Sequence, residues 1–203
     1  MKKYFKHSFI LFSLLLLMLA LPLTAQAKPT KKRVTQIYTS FLKLNGYDWF
    51  LSLDINRDGI KELIVSFDQK NSWDDHTFYI YSVKKNKIAK IGSVEESASL
   101  EENKGKKHIY YSKKYKAIRD TSTGAYSLMQ TLYQYQPKKT ALKSRYYCNA
   151  VYGRFPFRLI GTNEVDAYGV SDAKYNAYEK KYMNSCAKKY LYKNTARNRK
   201  KYL

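Results

Sequence analysis

The strongest local chemical signal in the sequence is Asp54-Ile55-Asn56-Arg57-Asp58-Gly59-Ile60-Lys61-Glu62. Side-chain oxygens at the first, third and fifth positions of this run can converge on one cation. Gly59 permits the sharp turn after them, and Ile60 can present its backbone carbonyl. Glu62 can complete the shell directly or through water. A set of hard oxygen donors without His or Cys selects calcium over zinc or copper. The expected ligands are therefore Asp54, Asn56, Asp58, Ile60 and Glu62. The plain alternative is an Asx-rich turn that binds no metal, because Asp, Asn and Gly close turns unaided. Arg57 and Lys61, at non-ligand positions, lower the affinity by repulsion, and extracellular calcium modules work with such weak sites.

A second pattern is cationic. Lys84-Lys85, Lys113-Lys114 and Lys138-Lys139 each fall between apolar, Tyr-bearing segments, and 79–85 echoes 133–139 as a weak repeat. If the strands form a simple meander, these three turns and the 54–62 loop are alternate connections and gather at one end, as a basic rim around the metal loop. Paired lysines in solvated hairpin turns are the ordinary alternative. A catalytic constellation is missing by comparison. His7, His76 and His108 lie in unrelated segments, and the sequence has no nucleophile elbow, phosphate-cradling glycine loop or metalloprotease helix motif. Asp74-Asp75 and Glu95-Glu96 read as solvated loop charges, and His108 as an exposed strand-end residue.

The elements that must position these residues follow from periodicity. Val34, Ile37, Phe41 and Leu42 recur at helical spacing, which predicts an amphipathic helix over 30–44 ended by Asn45-Gly46. From residue 47 the period becomes two, predicting half-buried strands over 47–53 and 63–67 on either side of the loop. Further strands are expected over 77–83, 87–94, 107–112, 115–119, 125–135 and 140–152, with an edge strand over 155–160 despite Pro156. Ser171 offers an N-cap to a final helix reaching about residue 192, with a stripe of Tyr175, Tyr178, Tyr182 and Cys186. The expected fold class is α+β, an antiparallel β-meander of about six to nine strands with an N-terminal and a C-terminal amphipathic helix. A mobile basic tail is expected from about residue 194, over Arg197, Arg199, Lys200 and Lys201.

The loop departs from an EF-hand. The twelfth position, where that motif places a bidentate Glu, is Val65, the flanks are β-patterned, and a paired second loop is missing. It resembles instead the calcium loops of integrin-type FG-GAP repeats. It is similar also to exported proteins of Clostridia-type bacteria with one Asp-x-Asn-x-Asp-Gly-x-x-Glu-Leu-Ile-Val segment between two strands, followed by a Tyr-rich strand, a Lys/Asn turn and a C-terminal Tyr-rich helix. The resemblance spans 47–91, with an echo at 170–182. It implies architecture and the five metal ligands, not an activity.

Lys2, Lys3 and Lys6, an apolar run over 9–23 and the small residues Ala25 and Ala27 have the order of a Sec signal peptide cleaved near Ala27. An uncleaved anchor is the alternative, and no later run is apolar for long enough to be a span. The remainder, 28–203, has the length of one domain. The whole chain carries a formal charge of +22, and the leader holds three lysines and no acid, leaving +19. That surplus favours anionic partners: wall polymers, lipid head groups, acidic glycans or, nonspecifically, nucleic acid. The 21 tyrosines are far more than a disordered basic tail would carry. Cys148 and Cys186 allow one disulfide in an exported chain, two buried thiols being the alternative. The expectation is a secreted or surface-associated, noncatalytic calcium-binding module for anionic polymers; an extracellular hydrolase or inhibitor with a hidden site is the competing class.

Overall fold

Thr30 starts the first helix, its Oγ1 accepting the Arg33 N–H at 3.2 Å. Helix α1 (Lys31–Leu44) turns Val34, Tyr38 and Leu42 inward, and Asn45 closes it through the Phe41 carbonyl. This is a computed structural model that describes residues 28–68, 77–96, 106–153 and 156–203. The expected leader, Asp74, Asp75 and His76 lie outside the described residues.

Among the described residues twelve strands follow, arranged in two antiparallel sheets. The first sheet contains β1 (Trp49–Leu53), β2 (Glu62–Ser66), β3 (Thr77–Lys84) and β4 (Lys87–Glu95). The second is a meander of β5 (His108–Ser112), β6 (Ala117–Gly124), β7 (Ser127–Gln136), β8 (Ala141–Val151) and β9 (Phe157–Gly161), with β10 (Tyr168–Gly169) outside β9. Helix α2 (Asp172–Tyr182) then leads through a 3₁₀ turn (Met183–Ser185) to β11 (Ala187–Tyr190) and β12 (Tyr192–Lys193). The chain ends in α3 (Ala196–Tyr202).

The α+β class with helices near both ends is the one expected, but the strand count exceeds the expected range. The excess lies mostly at the C-terminus. Ser171 does cap α2, yet the helix stops at Tyr182, where fully buried Met183 turns the chain into the core. Beyond it β11 pairs with β5 and β12 with β1, so adjacent residues of one segment add an edge to each sheet, with buried Leu191 between them. The expected mobile tail is instead α3. Tyr202 stacks on Tyr192 with ring centroids 3.6 Å apart, and Tyr202 and Leu203 join the cluster over the first sheet.

The two sheets face each other. Trp49, Leu51, Ile64, Phe78 and Ile80 of the first meet Ile109, Tyr111 and Ile118 of the second. α1 covers the outer face of the first sheet through Val34, Tyr38 and Leu42 against Phe50, Leu63 and Val65. α2 covers the outer face of the second through Tyr175, against Leu132, Cys148, Ala150 and Ile160. The order of layers is helix, sheet, sheet, helix. This corrects the half-buried reading of β1, because Trp49, Phe50 and Leu51 are all buried when both faces of a sheet are covered. Each fully buried aliphatic or aromatic side chain contributes about 1.5–3 kcal/mol. Among the described residues no helix is long and apolar enough to cross a membrane.

Candidate functional site

The 54–61 connection closes on itself through its own polar groups. Asp54 accepts the Asp58 N–H at 3.1 Å on Oδ1 and the Gly59 N–H at 2.9 Å on Oδ2. Asn56 Oδ1 shares the Asp58 N–H at 3.1 Å, and Asp58 Oδ1 accepts the Ile60 N–H at 2.8 Å. These bonds require left-handed backbone at Arg57 and Gly59, with φ of 62° and 91°. The loop is anchored from three sides. Ile55 is fully buried between the sheets, Tyr111 donates its hydroxyl to the Ile55 carbonyl at 3.0 Å, and Tyr38 of α1 donates to the Lys61 carbonyl at 2.7 Å.

Asp54, Asn56 and Asp58 thus point their oxygens at one small neighbourhood, as a calcium loop needs. Each carboxylate oxygen keeps a second lone pair after accepting one N–H, so the internal bonds do not use up its capacity. Asn56 Nδ2 also donates to Asp58 Oδ2 at 3.1 Å, so the three side chains are bonded to one another and to the loop backbone, and they are the residues that would hold a hard cation. Glu62 is placed differently: it is 1% exposed, and Oε2 accepts the Ile55 N–H at 2.9 Å while Oε1 accepts the Ser82 hydroxyl at 3.2 Å. Burial pushes its carboxyl up to about 8, and the neighbouring Asp58 and Asp54 charges push in the same direction. Glu62 therefore braces the base of the loop from inside the sandwich. No three of His, Cys, Asp and Glu gather as a metal-binding group among the described residues.

The basic turns come to the same end. β1 and β2 meet at Leu53 and Glu62, and β3 and β4 at Lys84 and Lys87, which puts the loop and the Lys84-Lys85 turn at one edge of the first sheet. Ala117 pairs with Gln134, and Gln136 with Ala141, which puts the Lys113-Lys114 and Lys138-Lys139 turns at one edge of the second. Lys84 Nζ donates to Thr140 Oγ1 at 2.6 Å and joins those two edges across the sandwich. Left-handed Lys85, Asn86, Lys116 and Thr140 make the tight reversals. All six paired lysines are exposed. A hollow of ≈ 320 Å³ beside the loop is bounded by Asp54, Ile60, Lys61, Val34 and Leu203.

Three expectations are corrected. The disulfide is not formed: Cys148 is on β8 and Cys186 precedes β11, and both are free. Strands β5, β6 and β7 lie between β8 and β11, each spacing being about 4.8 Å, whereas a disulfide holds its Cα atoms within about 7 Å. Burial pushes the Cys148 thiol up to about 12 and the Cys186 thiol up to about 11, so both stay protonated. His108 is buried, not exposed, its ring 5.1 Å from Tyr110 in an edge-to-face contact. Glu96 is no solvated loop charge. It is 1% exposed, bridges Arg119 at 3.2 Å and accepts the Thr121 hydroxyl, while its backbone forms a parallel bridge with Thr121 that links β4 to the second sheet.

A second cleft, ≈ 400 Å³, lies between β8, β9 and α2, where Tyr178 and Tyr182 of the expected stripe converge with Tyr146 and Tyr168, which were not singled out from the sequence. The helical spacing of 175, 178 and 182 was the available signal; that Tyr146 and Tyr168 would face it depended on strand register and loop path. The arrangement defines an α+β helix–sheet–sheet–helix protein with an Asx loop set among lysine-bearing turns. Comparison with known proteins finds no matching family model, no similar curated protein and no similar solved structure.

Proposed function

We propose that this chain is a secreted or surface-associated, noncatalytic calcium-binding module that associates with anionic polymers through the end of the sandwich bearing Lys84, Lys85, Lys113, Lys114, Lys138 and Lys139. Its calcium ion is structural, held by Asp54, Asn56, Asp58 and the Ile60 carbonyl, with Glu62 as an internal brace in place of a direct ligand. The loop is of the kind found in FG-GAP repeats and in exported Clostridia-type proteins. The leader-like segment 1–27 supports export, and the partners are wall polymers, lipid head groups or acidic glycans.

The observation that carries this reading is the Lys84–Thr140 bond, which draws two cationic turns from separate sheets to one place beside the Asx loop. A cluster of fixed cations on one rim raises the local concentration of a polyanion and gives a binding constant that falls steeply with salt. The test is binding to inorganic polyphosphate between low and physiological salt. Native protein loses affinity steeply, and a Lys85→Glu/Lys114→Glu/Lys139→Glu variant binds at least about tenfold more weakly with a shallower salt slope. Equal binding by both proteins would sink the rim as the polyanion site.

A further inference from the structure

The ≈ 400 Å³ cleft between β8, β9 and α2 has the volume of a small-ligand site. Its walls come from different elements. Tyr146 (β8) and Tyr182 (α2) stack with centroids 4.0 Å apart and planes 17° from parallel, and Tyr178 lies 4.6 Å from Tyr182. Tyr168 of β10 also lines it, 54% exposed. Such an exposed aromatic is not there for the core.

The wall that presents Tyr168 is fixed. Asp166 Oδ1 accepts the Thr162 and Asn163 N–H groups at 2.8 and 2.9 Å, Oδ2 accepts the Thr162 hydroxyl, and Asn163 Oδ1 accepts the Val165 N–H at 2.8 Å. Gly161 lets this loop lie against β9, since a Cβ there would come within 2.8 Å of Ala167 Cα. Tyr178 ties the helix to the same point by donating to the Gly161 carbonyl at 2.7 Å. The cleft is therefore built before any ligand arrives.

Its chemistry is aromatic walls plus a surplus of positive charge, the lining carboxylate of Asp166 being bonded to Thr162 and Asn163. Arg145 lines it, Lys174 Nζ lies 5.1 Å from the Tyr168 ring centre and Lys181 Nζ 4.9 Å from that of Tyr182. Tyr115, in the turn that bears Lys113 and Lys114, contacts both Tyr146 and Tyr182 at 5.2 Å, so cleft and basic rim are continuous. Aromatic faces are electron-rich, and the C–H face of a pyranose ring offers them positive hydrogens while its hydroxyls meet the phenol oxygens. A guanidinium pairs with a carboxylate in a planar fork. Tyr146 and Tyr182 spend a face on each other, and Tyr115 and Tyr178 also pack on Tyr182, so the exposed Tyr168 ring is the one left for a ligand.

We propose that this cleft seats one ring of an acidic glycan, with Tyr168 against the ring and Arg145 on its carboxylate, the adjoining rings running on to the basic rim. The last point alone rests on the polyanion reading above. The probes are an oligogalacturonate hexamer, the neutral chitohexaose, polyphosphate and a thymidine oligonucleotide, at physiological salt, with Tyr168→Ala, Tyr168→Phe and Arg145→Gln proteins whose melting temperatures match the native one.

Tyr168→Ala weakens oligogalacturonate binding about tenfold, leaves polyphosphate binding unchanged, and is rescued by Tyr168→Phe. Arg145→Gln weakens oligogalacturonate and spares chitohexaose. Unchanged oligogalacturonate binding by Tyr168→Ala, or an equal loss for polyphosphate, overturns the cleft while leaving the lysine rim standing. A loss by Tyr168→Ala that is larger for the oligonucleotide assigns the rings to bases and overturns the glycan. Polyphosphate binding without oligogalacturonate binding by native protein also overturns it.

Discussion

Glu62 Oε2 accepts the Ile55 N–H at 2.9 Å, joining the last residue of the Asx loop to the first one buried between the sheets. The contact explains how an exposed, charge-rich loop is held at a defined height on the sandwich. Truncating Glu62 strands the Ile55 N–H and the Ser82 hydroxyl in a buried site, at about 1–3 kcal/mol each. Glu62→Gln keeps an acceptor for Ile55 and, because burial holds the Glu62 carboxyl up to about 8, resembles the neutral form that prevails at pH 7. Urea unfolding at pH 7 should place Glu62→Ala about 2–6 kcal/mol below native and Glu62→Gln much nearer to it; equal losses would refute the bracing role of the Ile55 bond.

Calcium should raise the melting temperature of the native protein and leave that of Asp54→Ala/Asp58→Ala unmoved. Mass action sets the size of the shift, about 2.7 kcal/mol when calcium stands at 100 times its dissociation constant. In chelator the double variant is also less stable than native, because Asp54 and Asp58 accept the Asp58, Gly59 and Ile60 N–H groups even without an ion. A calcium response in the double variant would move the metal site elsewhere.

Asp120 carries a pH dependence of its own. Burial pushes its carboxyl up from 3.8 to about 6, opposed by the Glu95 N–H it accepts and reinforced by the Glu95 charge. The folded state then holds the proton more tightly than the unfolded one, so the contribution is fully present below pH 3.8 and is lost as pH rises through about 6. The difference amounts to about 3 kcal/mol at neutral pH. Asp120→Asn should gain stability relative to native between pH 4 and 7, measured by unfolding at each pH, and a flat difference across that range would refute the assignment.

Glu96 and Arg119 form a buried pair in which each partner answers for the other. Arg119 also lies 3.6 Å from the Tyr110 ring centre. Removing one partner leaves an uncompensated charge, at about 3–5 kcal/mol, whereas replacing both with apolar residues is about neutral. Glu96→Leu and Arg119→Met should each lower the urea midpoint sharply and the double variant should recover most of the loss. Additive losses would show that the two side chains act separately.

Several features were legible before any coordinates. Ser171 caps its helix where its residue type places it, the first helix falls within 30–44, and the 54–62 run is a turn between two strands as its Asp, Asn and Gly demand. The alternation of 77–83 and 87–94 marks β3 and β4 closely. What failed were readings that depend on distant partners. Lys188, Lys189 and Tyr190 continue a helical stripe as well as they form a strand, and only the open edge of β5 decides for the strand.

The sequence by itself therefore determined the local geometry: caps, the Asx loop, hairpin turns and an α+β class, because these follow from backbone preferences and side-chain bonding within a few residues. Tertiary structure decided the rest. It chose which strands became neighbours, sent Glu62 and Glu96 inward, separated Cys148 from Cys186, and drew Tyr146, Tyr168, Tyr178 and Tyr182 around one cleft. Burying both faces of two sheets fixes strand order and register, and those set which distant side chains meet.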